Sequence, residues 1–202
     1  MATRPSSRAA TAARSTILGA LVDDHKRVKK AFRDFKKLDT EEDTEAAQAL
    51  VQQVLTELQI HAALEEELLY PAAREALKDT DMLDEAEVEH ESAHTLIDQL
   101  SVMSPADDKY FARFTVLCEY VLHHVKEEEG EMFPALESAK LDWESLAQQV
   151  ESRREELMAV HAPMEEGESS AEDEEDDEAE MDVAPAAPAR KRAASKSTSK
   201  SR

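Results

Sequence analysis

The stretch His61-Ala62-Ala63-Leu64-Glu65-Glu66-Glu67-Leu68-Leu69-Tyr70-Pro71 decides how the chain folds and what it holds. His61 and Glu65 are four residues apart, so on an α-helix they lie about 40° apart on one face. That face continues an apolar one, because Val54, Leu58 and Leu68 keep the same alternation of steps of three and four. Two titratable side chains therefore stand where core residues belong. Burying an ionised carboxylate costs several kcal/mol unless it is paired or bound to metal, and an inward imidazole also needs a partner.

Working outward, three further stripes are interrupted in phase. Upstream, Ser15 to Leu38 carries Leu18, Leu21, Val28, Phe32 and Phe35 on one seam, and His25 falls in it. The quoted stretch closes a second helix, which opens after Leu38-Asp39-Thr40 and runs to about Tyr70, with Pro71 close to its end. The polar turn Lys78-Asp79-Thr80-Asp81 offers capping oxygens to a third helix, closed by Ser104-Pro105, where His90 and His94 sit between Leu83 and Ile97. Asp107-Asp108 opens a fourth, which reaches Gly130 and stops before Pro134. Its seam of Phe114, Leu117 and Val121 ends on His124 and Glu128, repeating the His-x-x-x-Glu of the second helix. Short links make successive helices antiparallel neighbours, so the expected fold is all-α, an up-down four-helix bundle. A fifth helical segment after Leu141-Asp142-Trp143, reaching about Val160 with Leu146, Val150 and Leu157, is expected to pack across the bundle in a structural role.

Composition agrees. The chain has 202 residues with only 3 glycines, 7 prolines and 4% aromatics, a balance that favours helix over strand and allows one domain with tails. Residues 15–160 make the expected domain. Residues 1–14, with Arg4, Arg8 and Arg14 among Ala, Ser and Thr, are expected to form a disordered basic arm, though organelle transit peptides share that composition. Residues 161–202 run from the acidic Glu172-Asp173-Glu174-Glu175-Asp176-Asp177-Glu178 to the basic Arg190-Lys191-Arg192, a tail that cannot build a core. The net charge of −22 argues against a folded surface that grips nucleic acid or anionic lipid, leaving contact of the basic tail with nucleic acid as a minor alternative to pairing with the acidic run. The one cysteine, Cys118, and the absence of a long apolar run point to a cytoplasmic protein with no membrane contact.

His25, His61, Glu65, His90, His94, His124 and Glu128 thus share the seams of four helices, which unrelated accidents would not arrange. Nitrogen and carboxylate donors without thiolate suit iron, manganese or zinc, and seven donors exceed what one ion accepts. Two ions follow. With both carboxylates and one oxygen bridging, a single position stays open, fit for dioxygen, nitric oxide or peroxide. A competing local motif is His90-Glu91-Ser92-Ala93-His94, the H-E-x-x-H of zinc proteases with Glu91 as base. It leaves His25, His61 and His124 without a task and puts Glu91 about 100° off the histidine face.

These residues, His25, then His61-Ala-Ala-Leu-Glu65, His90-Glu-Ser-Ala-His94 and His124-Val-Lys-Glu-Glu128, resemble the hemerythrin-like HHE cation-binding family over roughly Ser15 to Val160. The resemblance implies a non-haem di-iron centre in which the five histidines are terminal ligands and Glu65 and Glu128 bridge. It implies binding of oxygen or nitric oxide for sensing, storage or stress protection, with a di-iron peroxidase or oxidase, or an iron-sequestering protein, as alternatives. Oxygen carriers of the family have an aspartate one residue beyond the position of Glu128, which moves the expectation away from reversible carriage.

Overall fold

The computed structural model describes residues 7–161. Helices α1 (Ser7–Phe35), α2 (Thr44–Leu64), α3 (Tyr70–Ala76), α4 (Asp81–Ser101), α5 (Tyr110–Glu127), α6 (Phe133–Ser138) and α7 (Trp143–His161) follow one another. Single π-helical turns, Glu65–Leu69 and Glu128–Met132, join α2 to α3 and α5 to α6. No strand occurs among the described residues. α1 packs on α2, α2 on α4, α4 on α5 and α5 on α1, which closes a four-helix ring, and α7 lies against α1 and α2.

The antiparallel order shows in the core, which divides into two apolar clusters. One joins the C-terminal half of α1 (Val28, Phe32, Phe35) to the N-terminal half of α2 (Val51, Val54), the end of α4 (Ile97, Leu100) and the start of α5 (Phe114, Leu117). The other joins the opposite ends, with Ile17 and Leu21 of α1, Tyr70, Leu83, Phe133 and Leu136, roofed by Trp143, Leu146 and Val150 of α7. Phe114 meets the rings of Phe32 and Phe35 edge-on at 5.8 and 4.7 Å. Between the clusters lies a belt of buried polar groups: Asp24, His25, His61, Glu65, His90, His124 and Glu128.

Three sequence expectations need correction. Residues 7–14, assigned to a disordered arm, form the first turns of α1. Ala9, Ala10, Ala12 and Ala13 are strong helix formers, and Arg14 donates to the Glu137 carbonyl at 2.7 Å, which anchors the extension. The remainder of the arm and residues 162–202, where the disordered tail was expected, lie outside the described residues. The second and fourth helices do not stop at Pro71 or before Pro134. Each passes through a π turn, whose wider hydrogen bonds (Tyr70 N–H to Glu65 O, Phe133 N–H to Glu128 O) let proline, which has no N–H, enter the first turn of a new helix. The inserted residue also shifts the phase of the seam. Beyond Glu65 the buried position is Leu69 rather than Leu68, which is only partly covered.

Candidate metal centre

Each helix of the ring contributes to the belt at the level where the two apolar clusters meet. His25 and His61 face each other with Nε2 atoms 3.1 Å apart, and His90 and His124 do the same at 2.9 Å. Glu65 reaches both pairs, its Oε2 lying 3.2 Å from His61 Nε2 and 3.6 Å from His90 Nε2. Glu128 does likewise, with Oε2 3.2 Å from His25 Nε2 and 3.4 Å from His124 Nε2. With metal–nitrogen bonds near 2.1 Å, ligands at right angles on one ion stand about 3 Å apart. The observed separations are those of neighbours in a coordination shell.

The Nδ1 atoms show which way the imidazoles are polarised. Every one meets a carboxylate: His25 meets Glu129 at 3.0 Å, His61 meets Asp24 at 3.4 Å, His90 meets Glu66 at 2.7 Å and His124 meets Glu89 at 2.8 Å. A carboxylate only accepts, so the Nδ1 atoms carry the protons and the Nε2 lone pairs point inward at one another. Glu65 Oε1 and Glu128 Oε2 are buried without a hydrogen-bond partner. Facing lone pairs and orphaned carboxylate oxygens are the donor set a cation satisfies, and the outer acids are the partners that orient metal-binding histidines.

The centre is built twice. Asp24-His25 on α1 matches Glu89-His90 on α4, and His61 matches His124. Glu65-Glu66 matches Glu128-Glu129, and Tyr70-Pro71 matches Phe133-Pro134, each pair with equivalent contacts. Phe133 stacks on His25 at 5.8 Å and Tyr70 packs against His90 at 5.4 Å. The duplication breaks at Tyr70, whose hydroxyl donates to Glu128 Oε1 at 2.9 Å. It breaks again at His94, the counterpart of Lys29. Lys29 Nζ binds Glu129 at 3.0 Å, and His94 Nε2 meets Glu66 Oε1 at 2.7 Å.

Six of the seven residues expected from the sequence therefore meet in the buried belt. His94, 40% exposed, is turned to Glu66 and forms with it and His90 a separate outer group of potential ligands. That group is the local H-E-x-x-H arrangement, but Glu91 stands exposed. A surface group of Glu89, His123 and Glu127 also gathers, around a histidine left out of the expected site.

Without a cation the charges conflict. Burial and the neighbouring Glu128 raise the Glu65 pKa well above its ordinary value. Burial works the same way on Glu128, but the imidazoles of His25, His124 and His61 around it outweigh burial and hold it below its ordinary value. The pair thus shares one negative charge. Burial lowers the His61 pKa, although Asp24 opposes it. Burial also works to raise Asp24, which hydrogen bonds from His61 and Arg154 hold far below the usual carboxylate range. The Tyr70 phenol is pushed far up by burial and by Glu65 and Glu128, so it remains an O–H donor. The Cys118 thiol is pushed up to about 12 by burial and has no part in the centre.

A cavity of about 40 Å³ opens on the side of the four imidazoles that faces the first apolar cluster. Val28, Leu58, Ala62, Ala93, Ile97 and Val121 line it opposite the imidazoles, with His94 and Tyr120 at its edge, and most of its surface is apolar. The space exceeds the about 10–15 Å³ that one water needs.

Residues 16–136 match the model of the Hemerythrin HHE cation binding domain. The chain belongs to that family. A crystal structure of a Hemerythrin HHE cation binding domain-containing protein from Mycobacterium kansasii is similar over 69% of this chain and 85% of that one, with 26% identity and a TM-score of 0.56. A DNA nickase from Nostoc sp. is 30% identical over 113 residues, 56% of this chain and 31% of the relative, so the chain spans about a third of that protein's length. HHE membership brings metal-cation binding, and the buried His/Glu belt is the candidate site for it. No helix among the described residues is long and apolar enough to cross a membrane.

Sequence reasoning missed the outer ring: Asp24, Glu66, Glu89 and Glu129, and the Tyr70 hydroxyl. The signal was present, since each of these acids immediately neighbours an inward residue, in Asp24-His25, Glu65-Glu66, Glu89-His90 and Glu128-Glu129.

Proposed function

We propose that this HHE protein holds a non-haem di-iron centre and takes up a small diatomic ligand, oxygen or nitric oxide, in sensing, storage or stress protection in the cytoplasm. The observation that carries this is the belt itself: two imidazole pairs, each within reach of both Glu65 and Glu128, beside an apolar cavity of about 40 Å³. His25 and His61 would hold one iron, His90 and His124 the other, and Glu65 and Glu128 would bridge. His94 would join the second iron by giving up its contact with Glu66, which would divide the five histidines unequally. When bound, iron supplies the open position and the redox chemistry. The chain's own residues orient the imidazoles through the outer acids, exclude water with the two apolar clusters, and admit only a small, weakly polar molecule to the cavity.

Peroxide turnover is the second reading, supported by the Tyr70 O–H, a buried hydrogen-bond donor held 2.9 Å from Glu128 Oε1 that could steady charge developing on a bound oxygen. Action on DNA, suggested by the name of the Nostoc relative, is less favoured. Over residues 7–161 the 34 acids outnumber the 17 lysines and arginines two to one, and a polyanion is repelled.

Metal analysis and absorption spectra of anaerobically purified protein, before and after air, test the proposal alongside His61→Ala. Close to two irons per chain, with an oxo-bridged ferric band that appears in air and is lost in the variant, is the expected result. One zinc per chain, kept in His61→Ala and lost on replacing His90, would shift the site to the outer group.

A further inference from the structure

Helix α7 lies beyond the residues that match the HHE family, and yet one of its side chains reaches the outer acids of the centre. Arg154 grips Asp24 with both terminal nitrogens, Nη2 to Oδ2 at 2.6 Å and Nη1 to Oδ1 at 3.1 Å. Asp24 is 5% exposed, and its Oδ2 is also the atom that faces His61 Nδ1. A guanidinium on α7, a carboxylate on α1 and an imidazole on α2 thus stand in line. The duplicated half has no such line. Glu89, the counterpart of Asp24, faces His124 Nδ1 at 2.8 Å, and its other partner is His123 at 3.5 Å.

We propose that Arg154 is a positioning residue of the metal centre: by fixing Asp24 it holds His61 with its proton on Nδ1 and its Nε2 lone pair toward the ion, so that retention of the ion at the His25/His61 position depends on α7. The proposal rests on the di-iron reading above. The physical case is one of freedom. Arg27 also pairs with Asp24, but it is 52% exposed and touches only Oδ1. Without Arg154, Oδ2 keeps only the long 3.4 Å contact with His61, and the buried carboxylate is free to turn toward Arg27 and release the imidazole. A bidentate guanidinium fixes the plane of the carboxylate as well as its charge. Carboxylates behind metal-bound histidines commonly contribute tenfold or more to retention.

Charge and positioning predict opposite results, which makes the test decisive. Removing a cation from the neighbourhood of a metal ion by itself favours retention. If Arg154 positions His61, Arg154→Gln in the full, two-iron chain loses one iron to excess chelator about tenfold faster, and the other at the wild-type rate. Arg154→Lys, which keeps the charge without the fork, recovers part of the loss. Arg153→Gln is the control, since Arg153 anchors the same helix through Glu67 at 2.7 Å without touching the centre, and its release should match wild type. In the metal-free protein, NMR of the His61 ring nitrogens should find the proton on Nδ1 in wild type and mixed tautomers in Arg154→Gln. Release that is unchanged or slower in Arg154→Gln, an unaltered His61 tautomer, or an equal effect of Arg153→Gln would each overturn the proposal. A chain that never holds two irons would instead fail the di-iron reading, and the tautomer comparison would still judge Arg154.

Discussion

Replacing Glu65 by glutamine should move the stability of the metal-free protein and its capacity for metal in opposite directions. Glu65 is 0% exposed and Glu128 1%, so the two carboxyl groups share a space that water does not screen. Burial and the Glu128 charge raise the Glu65 pKa well above the ordinary 4.5. A carboxyl whose pKa is raised on folding gives its full contribution below its unfolded value, and that contribution is lost as pH rises through the folded value. From about pH 4.5 upward, wild-type Glu65 should cost the folded state up to about 1.4 kcal/mol per pH unit, the limit for one proton, until the folded value is passed. Glutamine has the same size, does not titrate, and its amide can donate to Glu128. Wild type and Glu65→Gln should therefore differ by a constant amount below about pH 4.5, and the variant should gain on wild type as pH rises. Other groups, such as His61 and Asp24, titrate in both proteins and largely cancel in the difference. Urea unfolding with chelator present, at steps from about pH 4 to pH 8, measures the gap. On the di-iron reading the order should reverse with iron added, because the variant lacks a carboxylate ligand. A gap that does not change with pH, or a variant that loses ground to wild type as pH rises, would refute the account of the shared charge.

Ala93→Leu adds three carbon atoms to a cavity of about 40 Å³, and association of nitric oxide or oxygen should slow about tenfold with iron content unchanged. Stopped-flow kinetics at wild-type rates would show that the ligand does not use this cavity. Tyr70→Phe makes the second half match Phe133 in the first, and it should keep both irons while peroxide breakdown falls on the order of 100-fold. An unchanged peroxide rate would leave the phenol no part in the turnover. Phe114→Ala removes a ring that is 0% exposed and wedged against Phe32 and Phe35, and it should cost about 3–5 kcal/mol in urea unfolding.

The fold was legible because its signal is periodic. Leu18, Leu21, Val28, Phe32 and Phe35 on one helix, and Phe114, Leu117 and Val121 on another, are all buried as the three-four step requires. All seven expected site residues were placed on those seams for the same reason, and six of them meet in the belt. The failures began where the period changes. Pro71 and Pro134 read as stops because an α-helix cannot supply a hydrogen bond to a residue that has no N–H. A π turn removes the requirement, and no propensity announces it. The same extra residue put Leu69 rather than Leu68 inside. Glu66 and Glu129 had no partner nearby in the sequence, since their distance from His90 and His25 depends on two helices distant in the chain. The Tyr70 hydroxyl was invisible for a related reason: its partner, Glu128, is 58 residues away.

The duplication explains why the missing features fall in pairs, and where the pairing fails it suggests how two equal halves become unequal. Each half offers two imidazoles, two outer acids and a share in both bridging glutamates. The first half is backed by guanidinium and ammonium groups: Arg154 and Arg27 on Asp24, and Lys29 on Glu129. The second is backed only by histidines, His94 on Glu66 and His123 on Glu89. Guanidinium and ammonium groups hold the outer acids of the first half in place, whereas in the second half an imidazole, His94, holds Glu66 and would be able to exchange it for metal in the proposed centre. One helix outside the ring and one Lys-for-His difference between equivalent positions are thus enough to make one position rigid and the other adaptable. The di-iron centre proposed above, open at one ion and closed at the other, would use that difference.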